Sequence, residues 1–411
     1  MALAQGNTAS SVEAQALTIP AVPALALGDA VQLALAHNAE LASARLEVKA
    51  MEAAEIQAGA RPNPELGMLV EDTRSATRST TVQWTQPIEL GGKRSARLTA
   101  AARAREQALV ALQAKQAGLQ AAVTSAFFEL LGAQEQVLLV QASLDLAHNA
   151  STIASKRLQA GKVPPLEQAK AQVAEAGVRA ELLQAQSERQ LARRRLAAFW
   201  GQTSPHFERA EGNADTLPAV PSDREVGERM AQAAVLRVAQ LDVARRQALT
   251  DIERAKRIPN PTVTLGAKRA AELGRTQIII GVSVPLPILD TNQGNLLEAL
   301  QREDQAREMV TTVRLQLQTE VSAALEKLRL TRQQVQLLRG EVLTTAQAAY
   351  DAAVKGYALG KFAFLDVLDA QRTLSQLRQQ VLRGTADAYR AAADIDRLLG
   401  QGERKSDPLQ E

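Results

Sequence analysis

Between Leu27 and Ala60 the apolar positions, Leu33, Leu41 and Val48 among them, fall at helical spacings, and Pro62 and Pro64 end the run. The period then drops to two. Leu66, Met68 and Val70 alternate with Gly67, Leu69 and Glu71; a charged stretch follows from Asp72 to Ser79; and Val82 and Trp84 alternate with Thr81, Gln83 and Thr85. Alternation on both sides of a charged turn predicts a β-hairpin over about 65–88, with one apolar and one more polar face. From Lys93 no proline occurs until Pro164, and Ala, Leu, Gln, Glu and Arg dominate throughout. One helix reaching Gly161 would be on the order of 100 Å long. Such a helix cannot be buried in an ordinary globular domain, so it belongs to a coiled coil or crosses an extended space. Gly161-Lys162-Val163-Pro164-Pro165 turns the chain, and a second helix returns from Leu166 to Phe199.

The same series follows again about 200 residues on. Pro62-Asn63-Pro64 returns as Pro259-Asn260-Pro261, Pro87-Ile88 as Pro287-Ile288, and Gly161-Lys162 as Gly360-Lys361. A helix is expected over 223–257, a hairpin over about 262–285, a long helix over 292–357, a turn at 359–362 and a last helix to Leu399. In the second hairpin Val263, Leu265 and Ala267 share one face, while Ile278, Ile280, Val282 and Val284 share another. The near-constant offset marks one large unit made twice rather than a string of short repeats. The expected division is an N-terminal extension over 1–24, a first repeat over 25–202, a linker over 203–222, a second repeat over 223–401 and a polar, disordered tail over 402–411. Met1-Ala2-Leu3-Ala4-Gln5 reads either as the remnant of a signal cleavage site or as an ordinary N-terminus.

Composition narrows the function. Aromatics are 3% of the chain and charged residues 23%, the profile of long amphipathic helices. Lys+Arg 48 against Asp+Glu 45 leaves +3 with the signs interspersed, which provides neither a basic stripe nor an aromatic platform for nucleic acid. Without cysteine there is no disulfide, thiolate metal site or catalytic thiol. His37, His148 and His206 belong to separate segments, so no metal site is expected. No nucleophile–base set, phosphate loop or HExxH motif is present, so neither an enzyme nor a cofactor is expected. No apolar run is long enough for a spanning helix, a test that a β-barrel escapes. The two hairpins could be barrel strands or caps on a soluble helical bundle. As barrel strands, four per chain are too few to close, and three chains are the smallest number giving a comfortable lumen.

The order helix, hairpin, very long helix, turn, helix, performed twice, resembles the TolC family of outer-membrane efflux proteins from about Leu25 to Gly400. The most specific segment runs from Tyr357 through Gly360-Lys361-Phe362 to Leu365-Asp366 and Asp369-Ala370-Gln371, similar to that family's periplasmic tip and the aspartate-bearing helix after it. Pro87-Ile88-Glu89-Leu90-Gly91-Gly92-Lys93-Arg94 is similar to the CzcC-type branch that serves heavy-metal efflux. The resemblance implies a mainly α fold with a small β part. Three chains would form a 12-stranded outer-membrane barrel continuous with a periplasmic α-barrel. It implies a homotrimer surrounded by outer-membrane lipid, a periplasmic membrane-fusion adaptor, and an inner-membrane proton-driven cation pump of the resistance-nodulation-division class. The cargo would be cobalt, zinc, cadmium or nickel. Drug efflux, type I secretion and a soluble periplasmic scaffold remain alternatives.

Asp366 and Asp369 are three apart and share a helical face. By resemblance they would form stacked carboxylate rings at the periplasmic constriction, favouring cations, with Tyr357 and Arg372 as compensating contacts. Gly161, Lys162 and Val163 with Leu359, Gly360, Lys361 and Phe362 would form the adaptor-docking tips. Val82, Trp84, Ile278, Ile280, Val282 and Val284 would belong to the barrel strands.

Overall fold

A computed structural model describes residues 22–212, 216–359, 361–362 and 364–400. The first half comprises β1 (Val22–Ala26), α1 (Leu27–His37), α2 (Ala39–Ala58), β2 (Glu65–Glu71), β3 (Ser79–Pro87), α3 (Lys93–Gln159) and α4 (Pro165–Ala198). β4 (Phe207–Glu211) precedes the second half, made of α5 (Asp223–Ala231), α6 (Ala234–Lys256), β5 (Thr262–Ala270), β6 (Arg275–Ser283), α7 (Gln293–Leu337), α8 (Leu343–Ala358) and α9 (Phe364–Leu399). The 67-residue α3 is the spine, touching α1, α2, α4, α6 and α9.

Local chemistry explains where the helices break. The helix expected over 27–60 stops at Asn38, whose extended backbone lets its Oδ1 accept the Leu41 N–H at 3.0 Å as an N-cap. Its amide also donates to the Phe199 carbonyl at 2.9 Å, tying the first helix pair to the end of α4. The helix expected over 223–257 is likewise divided, after a start fixed by a capping box between Ser222 and Glu225. The helix expected over 292–357 contains a π-helical stretch, Leu338–Val342, between α7 and α8. At the linker and the N-terminal extension the sequence reading is corrected. Val22–Ala26, partly inside the segment assigned as extension, is a strand paired in parallel with β4 from the linker. The possible signal remnant, the tail and Gly360 lie outside the described residues.

The small sheet belongs to one of two cores. Leu25, Phe127, Leu130, Leu196, Trp200 and Phe207 are buried together, and Leu236, Leu317, Val321, Leu328, Ile395 and Leu398 form a second cluster. Phe128 and Tyr389 stack between the halves, with ring centres 3.4 Å apart and planes 10° from parallel. Farther along, small residues such as Ala154, Ala171 and Ala174 fill the α3–α4 seam. The other sheet has the antiparallel order β2-β3-β5-β6, one hairpin from each half joined through β3 and β5.

Candidate functional site

Strand register sorts the four-stranded sheet into two chemically different faces. Leu66, Trp84, Leu265 and Ile280 form one cross-strand row, and Met68, Val82, Ala267 and Ile278 form the next. Val263 pairs with Val282 on the same face, and Val284 lies just past the strand end. The opposite face carries Gln83 and Gly266, then Thr81, Lys268 and Gln277, then Glu71 and Ser79. Lys268 Nζ lies 2.6 Å from Glu71 Oε2, and the Ser79 hydroxyl donates to that same oxygen at 2.8 Å. Glu71 and Lys268 thus compensate each other on the polar face. The apolar face is bare: Ile278 is 81% exposed and Ile280 76%. A contiguous apolar face of this kind is suited to lipid rather than water. Among the described residues the outer edges of β2 and β6 have no pairing strand, leaving two open edges.

The segment between β3 and α3 anchors one half to the other. The Ile88 N–H donates to the Pro261 carbonyl at 2.8 Å, and the Leu90 N–H to Asn260 Oδ1 at 3.3 Å. Lys93 Nζ reaches Ile258 O and Asn260 Oδ1. Gly91 sits at φ +73°, and a Cβ there would come within 2.7 Å of the Ile258 side chain. Arg94 and Arg97 cap the carbonyls of Gly59 and Ala60, at 2.7 and 3.1 Å. Arg97 also pairs with Glu89, and hydrogen bonding from that guanidinium holds the Glu89 carboxyl below the usual glutamate range. The Glu89-to-Arg94 motif is therefore a corner clamp that seats the start of α3 against both Pro-Asn-Pro bends.

At the opposite end of α3 the chain reverses by hydrogen bonds of the Schellman type. Gly161, at φ +66°, donates to Leu158 O at 2.8 Å, and Lys162 N donates to Arg157 O at 2.9 Å. The second tip repeats the longer of these bonds, Lys361 N to Gly356 O at 2.8 Å. Leu359 and Phe362 are 72% and 51% exposed, whereas Val163 is half-buried. Asp366 and Asp369 both lie on the exposed side of α9, opposite the buried Leu368, Gln371 and Leu374. Tyr357 packs into the small-residue seam of α3 and α4, with the Arg157 guanidinium 4.5 Å above its ring. Arg372 is exposed and lines a groove of about 1120 Å³ between α3, α4 and α9. It makes no ion pair among the described residues.

Arg157, Gly356 and Asn260 escaped the sequence reading. The first two act through contacts across a tip, and Asn260 through bonds to a segment about 170 residues away in sequence. Only the recurrence of Pro-Asn-Pro offered a signal for Asn260. The histidines are dispersed: His148 Nδ1 lies 2.9 Å from Glu175 Oε1, and His206 lies near Gln202. Among the described residues no group of three His, Asp or Glu side chains is arranged to hold a metal ion. None of the described helices is long and apolar enough to cross a membrane.

Comparison with known proteins agrees with this architecture. The crystal structure of the outer membrane protein VceC from Vibrio cholerae matches with a TM-score of 0.74 at 20% identity, over 92% of this chain and 96% of that one. The cobalt-zinc-cadmium resistance protein CzcC of Cupriavidus metallidurans is 41% identical over 405 residues, 97% of this chain and 96% of that protein. The nickel-cobalt-cadmium resistance protein NccC of Alcaligenes xylosoxydans xylosoxydans is 28% identical over 69% of this chain and 65% of its own length. A family model described as outer membrane efflux protein matches residues 30–202 and again 227–401, once in each half. The chain resides in the outer membrane with a periplasmic extension: it belongs to the outer membrane efflux protein family.

Proposed function

We propose that three copies of this chain close one channel through the outer membrane and periplasm, and that divalent heavy-metal cations leave the cell through it. The four-stranded sheet carries this reading. Its lipid-suited face and two open edges are satisfied together when β2 of one copy pairs with β6 of the next, and three copies supply the twelve strands of a closed barrel. Residues 25–202 and 223–401 act as the two repeats of each wall segment, and α3, α4, α7, α8 and α9 continue the wall as a periplasmic tube. The choice of cargo is supported by the relatives with named metals: cobalt, zinc and cadmium for CzcC, nickel besides for NccC.

In this assembly Asp366 and Asp369 form acidic rings near the tips, and Tyr357 with Arg157 holds the second tip against the first. The exposed Leu359 and Phe362, with Val163 and the two glycine turns, form the surface for a periplasmic adaptor. A proton-driven pump of the resistance-nodulation-division class supplies energy from the inner membrane, and the chain itself is a conduit.

The test is growth of a deletion strain, with and without the restored gene, on graded cobalt, zinc, cadmium and nickel and on a panel of hydrophobic drugs. Sensitivity confined to particular metals and relieved by the gene is expected. Sensitivity to drugs alone would overturn the metal reading and leave a general exit duct.

A further inference from the structure

The β2–β3 and β5–β6 turns lie at the end of the sheet away from α3 and α7, hence at the outer surface of the membrane. On the lipid-suited face the outermost paired row is Val70, Thr80, Arg269 and Thr276. Arg78 follows on the same face, and its carbonyl accepts the Ala271 N–H at 3.0 Å. Arg269 stands two residues beyond the apolar Ala267–Ile278 pair, about 7 Å along the strand. Charge at this height has left the acyl region and reached the headgroups.

Arg78 and Arg269 are exposed, and neither has an ion-pair partner among the described residues. Asp72, just past the end of β2, is engaged by its own turn: it accepts from Arg74 N at 3.0 Å and from the Thr77 hydroxyl. On the opposite face Lys268 is paired with Glu71, while Arg275 makes no ion pair among the described residues. On its lipid side the outer rim therefore presents two guanidinium groups that make no ion pair among the described residues. Guanidinium groups take phosphate oxygens in bidentate fashion.

We propose that Arg78 and Arg269 form a docking rim for phosphate-bearing lipid headgroups of the outer leaflet. The inference rests on the closed barrel proposed above. The probe is lipid A, titrated onto the full-length detergent-solubilised trimer and read by native mass spectrometry, alongside its dephosphorylated form and inorganic phosphate. Retention of lipid A but not of the dephosphorylated form is expected. Arg269→Gln and Arg78→Gln should each lower retention roughly ten-fold. Arg275→Gln, the same charge change on the lumen face, should leave it intact. Undiminished retention in R78Q and R269Q, an equal loss in R275Q, or inorganic phosphate binding as tightly as lipid A would each overturn the proposal. Trimer mass in the same spectra separates failure of the rim from failure of the barrel. Arg78, in the turn, keeps the test readable should Arg269→Gln fail to assemble.

Discussion

Two residues show how much of the chain's specificity is spent on placing its long helices. Glu89 is mostly enclosed by the corner between β3 and α3 and is hydrogen-bonded by Arg97. Its carboxyl is held below the ordinary range, so the ionised form favours the folded state. That contribution is present above the ordinary glutamate pKa and is lost as pH falls through the lower, folded-state value. The advantage of the wild type over Glu89→Gln in thermal dissociation of the purified protein should be full at neutral pH and vanish in acid. A pH-independent difference would show that ionisation of Glu89 is not the cause. At the other end of the molecule, Gly356 lies directly beneath the Phe362 ring, and any Cβ there would run into it. Gly356→Ala should displace Phe362 and speed proteolysis at the second tip. In a Phe362→Ala background the same change should add nothing, because the clash is gone; an equal effect in both would place the cost in the backbone.

At the scale of elements, the β-hairpins were the most legible part of the sequence, because alternation is a local signal and burial in lipid demands it. Spacing puts Val82 with Trp84, and Ile278 with Ile280 and Val282, on one side of each strand; the register through β5 then brings both sets, read separately from the sequence, onto one face of the sheet. The β1–β4 pair was illegible for the opposite reason. Two five-residue strands, far apart in sequence and pairing in parallel, lack alternation and turn chemistry to announce them. The π-helical stretch and the Arg157–Tyr357 contact were equally hidden, since each depends on packing between helices rather than on any run of residues. The face assignment gives a sharp prediction from neighbouring positions. Ile280→Arg places a charge on the lipid side, at a cost of about 2–4 kcal/mol near mid-membrane. It should reduce the amount of protein recovered in outer-membrane pellets. Ile279→Arg, pointing to the polar side with Gln83, should insert normally. Equal insertion of both variants would mean that the sheet does not face lipid as its register indicates.

At the scale of the whole molecule, three-fold assembly would turn single side chains into rings, and the sparse chemistry of this chain then has consequences. Each protomer offers Asp366 and Asp369 one helical turn apart on the exposed side of α9. Arg372, one turn farther on, forms no ion pair among the described residues, and Arg157 is placed over the Tyr357 ring. Neither arginine is positioned within the protomer as a salt-bridge cap for Asp369, so a ring of Asp369 carboxylates at a narrow tip would hold divalent cations and slow their passage. Asp366→Asn with Asp369→Asn should raise conductance in planar bilayers and weaken block by divalent cations added from the periplasmic side. Because the effect is electrostatic, the difference from wild type should be largest near 0.1 M salt, where the screening length is about 10 Å, and shrink toward 1 M, where it is about 3 Å. A difference that survives at high salt would point to altered tip packing. Conductance and block unchanged at every salt concentration would move the constriction away from this pair.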